Sequence, residues 1–293
     1  MAKTAIQTKS AAGTTAQAVR LHYARFLASR TMVKDERLIA AFAGVPRERF
    51  VGPGPWKIPS LVEKKTYLLT PSDDLAFLYQ DTVVSLVDEK GLNNGEPGLH
   101  MRLMNALQIR EGEAILHIGA GTGYYTAILA ELAGPRALVI GYEVERGLAE
   151  RATLTLKTWP NVEILPRSGA EGPIPECNVI YVNAGATHPL DIWLDALRPS
   201  GRLLLPMTGA GGWGAALMVT RGTSDILAAR FVSPIGIYPC DGARNEEMAA
   251  KLGAAISRRD FDKVKSLRRG TLPDETCWLA GDGWWLSTAD VPA

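Results

Sequence analysis

The chain has 293 residues, 46% of them hydrophobic, with 32 basic and 31 acidic side chains for a formal net charge of +1. That length allows one large domain or a core with appendages, and the composition supports a substantial core. The balanced charge argues against bulk attraction to nucleic acid or anionic membrane, and no apolar run is long enough to span a bilayer. Three widely spaced cysteines, Cys177, Cys240 and Cys277, with no Cys-x-x-Cys pair, argue against a disulfide framework or a zinc site. A reducing cytoplasm is the expected setting, with no metal.

The first 34 residues contain no Asp or Glu and carry Lys3, Lys9, Arg20, Arg25, Arg30 and Lys34. Such a composition faintly resembles an organelle transit peptide. The expectation here is a frayed start over 1–15 leading into a helix over 16–30, with Val19, Tyr23, Phe26 and Leu27 on one face. A second helix is expected over 36–42, ended by the Val45–Pro46 step. Residues 51–59 read as loop, 75–86 as short extended segments, and GLNNGEPG at 91–98 as a turn-rich loop before a helix over 99–107. Strands are expected at 114–118, 137–142, 162–165, 177–183 and 202–206, and helices at 123–132, 145–158 and 190–197. Gly134-Pro135 and Pro160 stop two of these helices, and 199–201 reads as a turn into the fifth strand. This alternation indicates an α/β fold with a doubly wound, mostly parallel sheet. Right-handed crossovers then put a ligand at the carboxyl ends of the strands. Strands at 215–220 and 230–238, joined by a turn at 222–225, would add an antiparallel edge. Helices are expected at 245–256 and 260–267, and the tail CWLAGDGWWLS, with three of the seven tryptophans, as a terminal strand or cap. Three regions follow: 1–110, helical and loop-rich on the substrate side; 111–240, the core; and 241–293, a helical extension with a tryptophan-rich tail.

The densest signal is AILHIGAGTGYYTAILAELA, a strand, a glycine turn and a helix, followed at the end of the next strand by Glu143. Glycines at 119, 121 and 123 let backbone approach a ligand without a Cβ in the way. An acid at Glu143 can accept hydrogen bonds from both hydroxyls of a ribose. A dinucleotide fold wants Gly-x-Gly-x-x-Gly, and Tyr124 occupies the third glycine's place. The shorter Gly-x-Gly-x-Gly spacing resembles that of S-adenosylmethionine-dependent methyltransferases, whose cofactor has no phosphate. A nicotinamide dehydrogenase is the distant alternative. One of Tyr124 and Tyr125 is expected to cover the cofactor and the other to pack in the core.

Four segments resemble the protein-L-isoaspartate O-methyltransferases: LHIGAGTGY at 116–124, GVPRERFV at 44–51, VIYVNAGA at 179–186 and LDALRPSGRLLLPM at 194–207. The resemblance spans about 20–51 and 90–220, and leaves 52–80 and the stretch after about 240 unmatched. It implies a Rossmann-like methyltransferase that moves a methyl group from S-adenosylmethionine to a peptide or protein carboxylate. It implies cofactor contacts from His117, Gly119, Ala120, Gly121, Thr122, Gly123, Glu143, Ser168, Gly169 and Asn183, with His117 supporting the glycine turn from behind. Two positions depart from the family pattern. Gly95 stands where the family has a Ser or Thr near methyl transfer, and Arg167-Ser168-Gly169 replaces a Gly-Asp-Gly loop. Asn93, Asn94 and Glu96 are expected to line the acceptor side, the asparagines partly replacing the hydroxyl. Glu96 sits awkwardly there, because a second anion repels a carboxylate.

A carboxylate is already anionic at neutral pH and needs no general base, whereas an amine or alcohol acceptor would. Glu96, His188 and His100 are the candidates for that base, His188 lying just past the fourth strand. A small molecule or modified peptide is thus an alternative acceptor. A non-catalytic S-adenosylmethionine-binding protein is the third reading, supported by loss of the loop hydroxyl.

Overall fold

Asp35 accepts hydrogen bonds from the backbone N–H groups of Arg37 and Leu38, so α2 (Glu36–Gly44) begins where a short acid satisfies free donors. In the computed structural model, which describes residues 4–60, 62–63, 66–222 and 226–291, α2 packs against α1 (Thr4–Thr31). The first helix thus starts ahead of the expected 16. A short α3 (Glu48–Val51) follows, and the Arg47 side chain just before it is fully buried. That guanidinium donates to the carbonyls of Leu78, Gln80 and Thr82 and to Asn94 Oδ1. The segment GVPRERFV therefore organises the loops that precede the core.

Those loops hold two small antiparallel pairs, β1 (Lys57–Pro59) with β2 (Tyr67–Leu69) and β3 (Ser85–Val87) with β4 (Leu92–Asn93). Residues 75–86, expected as extended, instead begin with a helical turn, α4 (Leu75–Leu78), because the Asp74 carboxylate caps the N–H of Ala76. Helix α5 (Pro97–Leu107) then leads to the core, with proline at its first position, where no N–H is needed.

The core strands are β5 (Ile115–Ile118), β6 (Val139–Tyr142), β7 (Val162–Leu165), β8 (Cys177–Val182) and β9 (Leu197–Thr208). They alternate with α6 (Tyr124–Ala133), α7 (Arg146–Thr155) and α8 (Asp191–Asp195). Near-continuous apolar runs such as ILHI and CNVIYV suit strands covered on both faces. Side chains alternate between two cores: Val179 and Tyr181 face α1, α2, α5 and α6, while Ile180 and Val182 face α8 and the C-terminal elements. The expected turn at 199–201 is a bulge inside β9, where pairing jumps from Cys177↔Leu197 to Val179↔Arg202.

The order β7-β6-β5-β8-β9 is parallel, and five further strands extend the sheet antiparallel, in the order 213–220, 227–236, 266–269, 284–287 and 277–280. Strands β10 (Trp213–Thr220) and β11 (Leu227–Gly236) form the expected antiparallel pair but lie inside the sheet rather than at its edge, because β11 pairs onward with a later strand, and part of the turn placed at 222–225 lies outside the described residues. After α9 (Glu246–Ser257), the expected helix over 260–267 is only a 3-10 turn, Phe261–Lys263. The chain there becomes β12 (Ser266–Arg269), and the tail becomes a hairpin of β13 (Cys277–Ala280) and β14 (Trp284–Ser287). The extension is thus half sheet rather than helical, with Leu267, Leu279, Trp284 and Leu286 buried on the second core from paired strands. Among the described residues no helix is long and apolar enough to cross a membrane.

Candidate active site

Strand β5 ends in a turn whose three glycines have positive φ, +78° at Gly119, +57° at Gly121 and +93° at Gly123. Their surroundings differ. A Cβ on Gly119 would lie 3.1 Å from the Asn183 carbonyl oxygen, and one on Gly123 would meet Leu156 at 2.6 Å. Gly121 has nothing within 4 Å of that position and opens onto a cavity of about 830 Å³. Gly123 therefore serves helix packing and is not among the cavity-lining residues, contrary to its expected cofactor contact.

Glu143 follows β6 and is 7% exposed. Its Oε2 accepts the Gly121 N–H at 2.6 Å and its Oε1 accepts the Glu145 N–H at 2.9 Å. Burial pushes its pKa up, opposed by those backbone hydrogen bonds. Each oxygen keeps a lone pair for a ligand hydroxyl. Around this carboxylate the cavity is lined by Gly119, Ala120, Gly121, Thr122, Ser168, Gly169 and Asn183. A side chain at Gly169 would clash with Ile118 at 2.3 Å, so that backbone lies directly on the end of β5. Ser168 Oγ accepts from the Ala170 N–H at 3.1 Å.

His117 is placed differently from expectation as a cofactor contact. It is fully buried on β5, outside the cavity lining, with Nδ1 2.9 Å from Thr126 Oγ1 and its ring stacked on Tyr181. Burial pushes its pKa down to about 3, so it is a neutral spacer beneath α6. Both Tyr124 and Tyr125 line the cavity while remaining buried.

The acceptor side is built from the loop 93–96, and Asn93, Asn94 and Glu96 all line the same cavity. Asn93 Oδ1 accepts the Gly95 N–H at 2.9 Å, and Asn94 Oδ1 accepts the Val84 N–H at 2.7 Å. Asn94 Nδ2 is buried without a hydrogen-bond partner among the described residues. Burial and the nearby Asp81 raise the pKa of Glu96. His188 does not join this group. It lies off the cavity with Nδ1 2.9 Å from Thr187 Oγ1, because Thr187 is drawn toward the C-terminal segment by its N–H bond to the Ala243 carbonyl.

Three groups of lining residues escaped the sequence reading. His100, weighed as a base or as a residue capping or packing within its helix but not as part of the acceptor wall, is 1% exposed and lines the cavity beside Gly95. The β9–β10 turn contributes Gly211, Gly212 and Trp213, the last 75% exposed at the rim. The stretch after β11 adds a further wall with Tyr238, Cys240, Asp241 and Arg244. Arg244 clamps it by donating to the carbonyls of Gly185, Thr208 and Gly209, and Tyr238 donates to the Gly91 carbonyl at 2.7 Å. GAGGWG at 209–214, glycines around one tryptophan, was the one readable sign of this rim.

Comparison with known proteins gives a consistent relationship. A model of the protein-L-isoaspartate(D-aspartate) O-methyltransferase family matches residues 22–221. Protein-L-isoaspartate O-methyltransferase 2 of Archaeoglobus fulgidus is 30% identical over 61% of this chain and 74% of its own. The enzyme of that name from Ignicoccus hospitalis is 27% identical over 73% of this chain and 93% of its own. A solved protein-L-isoaspartate O-methyltransferase superposes with a TM-score of 0.63 at 22% identity, covering 82% of this chain and 69% of that one. A putative one from Plasmodium falciparum, in complex with S-adenosyl-L-homocysteine, gives 0.59 at 16% identity, covering 76% and 98%. These two structures share the fold. The family match takes in the glycine turn, Glu143 and the 93–96 loop, and by it this chain belongs to the S-adenosylmethionine-dependent protein-L-isoaspartate(D-aspartate) O-methyltransferase family.

Proposed function

We propose that this chain methylates a carboxylate carried on a peptide or protein, with the isoaspartyl side chain as acceptor. One observation carries the reading: the glycine turn with Glu143 and the 93–96 loop open into a single cavity of about 830 Å³, so donor and acceptor meet inside it. Cavities of roughly 300–1,000 Å³ are usual for small-molecule sites.

The residues present fit the cofactor. Gly121 leaves open the space a side chain would fill, and Glu143 stands beside it with acceptor capacity for a ribose diol. We place Gly119, Ala120, Gly121, Thr122 and Asn183 at its methionine and ribose part. Ser168 and Gly169, one strand further along, fall at its base. When bound, S-adenosylmethionine supplies an electrophilic methyl group. The chain's own work is then to position an acceptor and exclude water.

The acceptor side suits an anion. Arg47 gives its hydrogen bonds to three carbonyls and one amide oxygen, and no carboxylate pairs with it among the described residues. Its charge therefore biases the adjoining 93–96 loop toward a negative ligand. Glu96, whose pKa burial and the nearby Asp81 push up, is the acid on this side that a carboxylate acceptor has to approach. Among the other described side chains of the cavity, none is prepared as a strong base or nucleophile, and Glu96 is the one base candidate that the cavity keeps. His100 is bonded to a phenol rather than to an acid, and burial holds the Cys240 thiol up at about 11. A carboxylate acceptor needs neither.

The test is transfer of radiolabelled methyl groups to an isoaspartyl peptide and to its aspartyl twin. Label on the isoaspartyl peptide alone, released by mild base as an ester is, is the expected result. Base-stable label, or equal labelling of both peptides, would overturn the acceptor assignment.

A further inference from the structure

Gly95 and His100 compete for one volume. A Cβ built on Gly95 would lie 2.3 Å from His100 Nε2 and 2.9 Å from Cδ2. The imidazole cannot easily give way. It stacks on Tyr125 with ring centroids 3.5 Å apart and planes 9° apart, and Nδ1 is 2.6 Å from the Tyr181 hydroxyl. Gly95 itself sits at φ +76°, tied to Asn93 through its N–H and to Tyr125 through its carbonyl. The ring edge thus stands where a side chain on residue 95 would stand, at the cavity wall.

The proton on that edge follows from Tyr181. Its hydroxyl is fully buried, and its hydrogen-bond partner among the described residues is His100 Nδ1. A buried phenol O–H needs an acceptor, so Nδ1 accepts and the single proton of the neutral imidazole is assigned to Nε2. Burial, with help from His117 and Arg47, keeps the imidazole neutral.

We propose that His100 grips the acceptor carboxylate, its Nε2–H donating to one oxygen and leaving the second free to take the methyl group. The proposal rests on the carboxylate-acceptor reading above. It accounts for the absence of a hydroxyl at residue 95, since the donor comes from the first turns of α5 instead. It also makes His100 a specificity element, because a neutral N–H donor suits a carboxylate and offers no lone pair to deprotonate an amine or alcohol.

His100→Phe keeps an aromatic ring on Tyr125 and deletes the donor, while His100→Gln keeps an N–H close to the Nε2 position. Loss of a hydrogen bond to a charged group predicts a kcat/KM on the isoaspartyl peptide roughly 10- to 100-fold lower for His100→Phe. The loss should fall mainly in KM, because the acceptor's charge is greatest before transfer. His100→Gln recovers most of it. S-adenosylmethionine affinity, measured by calorimetry on the same samples, stays at the wild-type value and certifies the fold. Gly95→Ala is the second variant: its methyl displaces the imidazole without removing it, and a comparable rise in KM is expected. A wild-type KM in any of these donor-disturbing variants that still binds S-adenosylmethionine overturns the assignment. A wild-type protein that labels no isoaspartyl peptide overturns the acceptor reading itself, and this assignment with it.

Discussion

Replacing Glu143 by Gln removes a charge and almost no volume. In the native site the two carboxylate oxygens take the N–H groups of Gly121 and Glu145 at 2.6 and 2.9 Å. A glutamine keeps one acceptor oxygen, so one of these donors faces an amide NH2 instead. The glycine turn then loses a fixed point, and a ribose hydroxyl loses a charged acceptor. Hydrogen bonds to charged groups contribute about 1.5–3 kcal/mol, which predicts S-adenosylmethionine binding weakened roughly 10- to 150-fold. The pH dependence has a definite sign. Burial raises the pKa of Glu143, so affinity falls as pH drops through a value above the ordinary glutamate range. Folding runs the other way. A carboxyl whose folded pKa is raised contributes stability that is complete below its unfolded value and lost as pH rises through the folded one. Glu143→Gln therefore recovers part of that contribution at neutral pH while losing ligand affinity. Calorimetric titration at several pH values measures the affinity and denaturant unfolding the stability, and the variant should lack the acid-side fall in affinity. An unchanged dissociation constant at neutral pH would refute the assignment of Glu143 to the ribose.

Trp213, exposed at the rim with its ring against Gly236, offers a peptide a large apolar contact. Trp213→Ala should raise KM for peptide several-fold with kcat and cofactor affinity unchanged, and steady-state kinetics would show it. Arg47→Met leaves the buried Leu78 carbonyl and the partly buried carbonyls of Gln80 and Thr82 without their shared donor. Denaturant titration should show a loss of about 3 kcal/mol or more, and a loss under 1 kcal/mol would contradict its role as the loop's anchor. Glu113 pairs with Arg202 at 2.5 Å, with both side chains about nine-tenths buried. Burial raises the pKa of Glu113, but the Arg202 hydrogen bond and charge, with the Arg110 N–H, outweigh it and leave it lowered. Its stability contribution is present above the unfolded pKa and lost as pH falls through the folded value. Glu113→Gln should cost about 1–3 kcal/mol at neutral pH and progressively less in acid, read from unfolding curves at each pH.

The core of this site was legible because its signals are local. Apolar runs with proline and glycine punctuation set β5, β6, β7 and β8 within about two residues, and the 119–123 turn with Glu143 needs only two consecutive βα units. What was missed depends on contacts made across the sheet. Phe261, Val264 and Leu267 are spaced as on a helix, yet β12 forms because β11 and β14 offer it partners on either side. The tail's Trp-Leu and Trp-Trp-Leu runs around Gly281 and Gly283 read as a terminal strand or cap, and neither the hairpin nor its place in the large sheet is visible there. His188 follows a strand end in sequence, and nothing there announces that residue 187 turns toward Ala243. His100 becomes informative only when Tyr125, 25 positions later, and Tyr181, 81 positions later, fix its ring.

The wall formed by Tyr238, Cys240, Asp241 and Arg244 lies past residue 221, where the family match ends. Those residues are held to Gly91, Gly185 and Thr208, and they lead straight into α9 and the outer strands. A ligand that touches this wall stabilises whatever part of the C-terminal half-sheet opens together with it. Amide exchange in β12 and β14, far from any atom of the ligand, would then slow as the crevice fills.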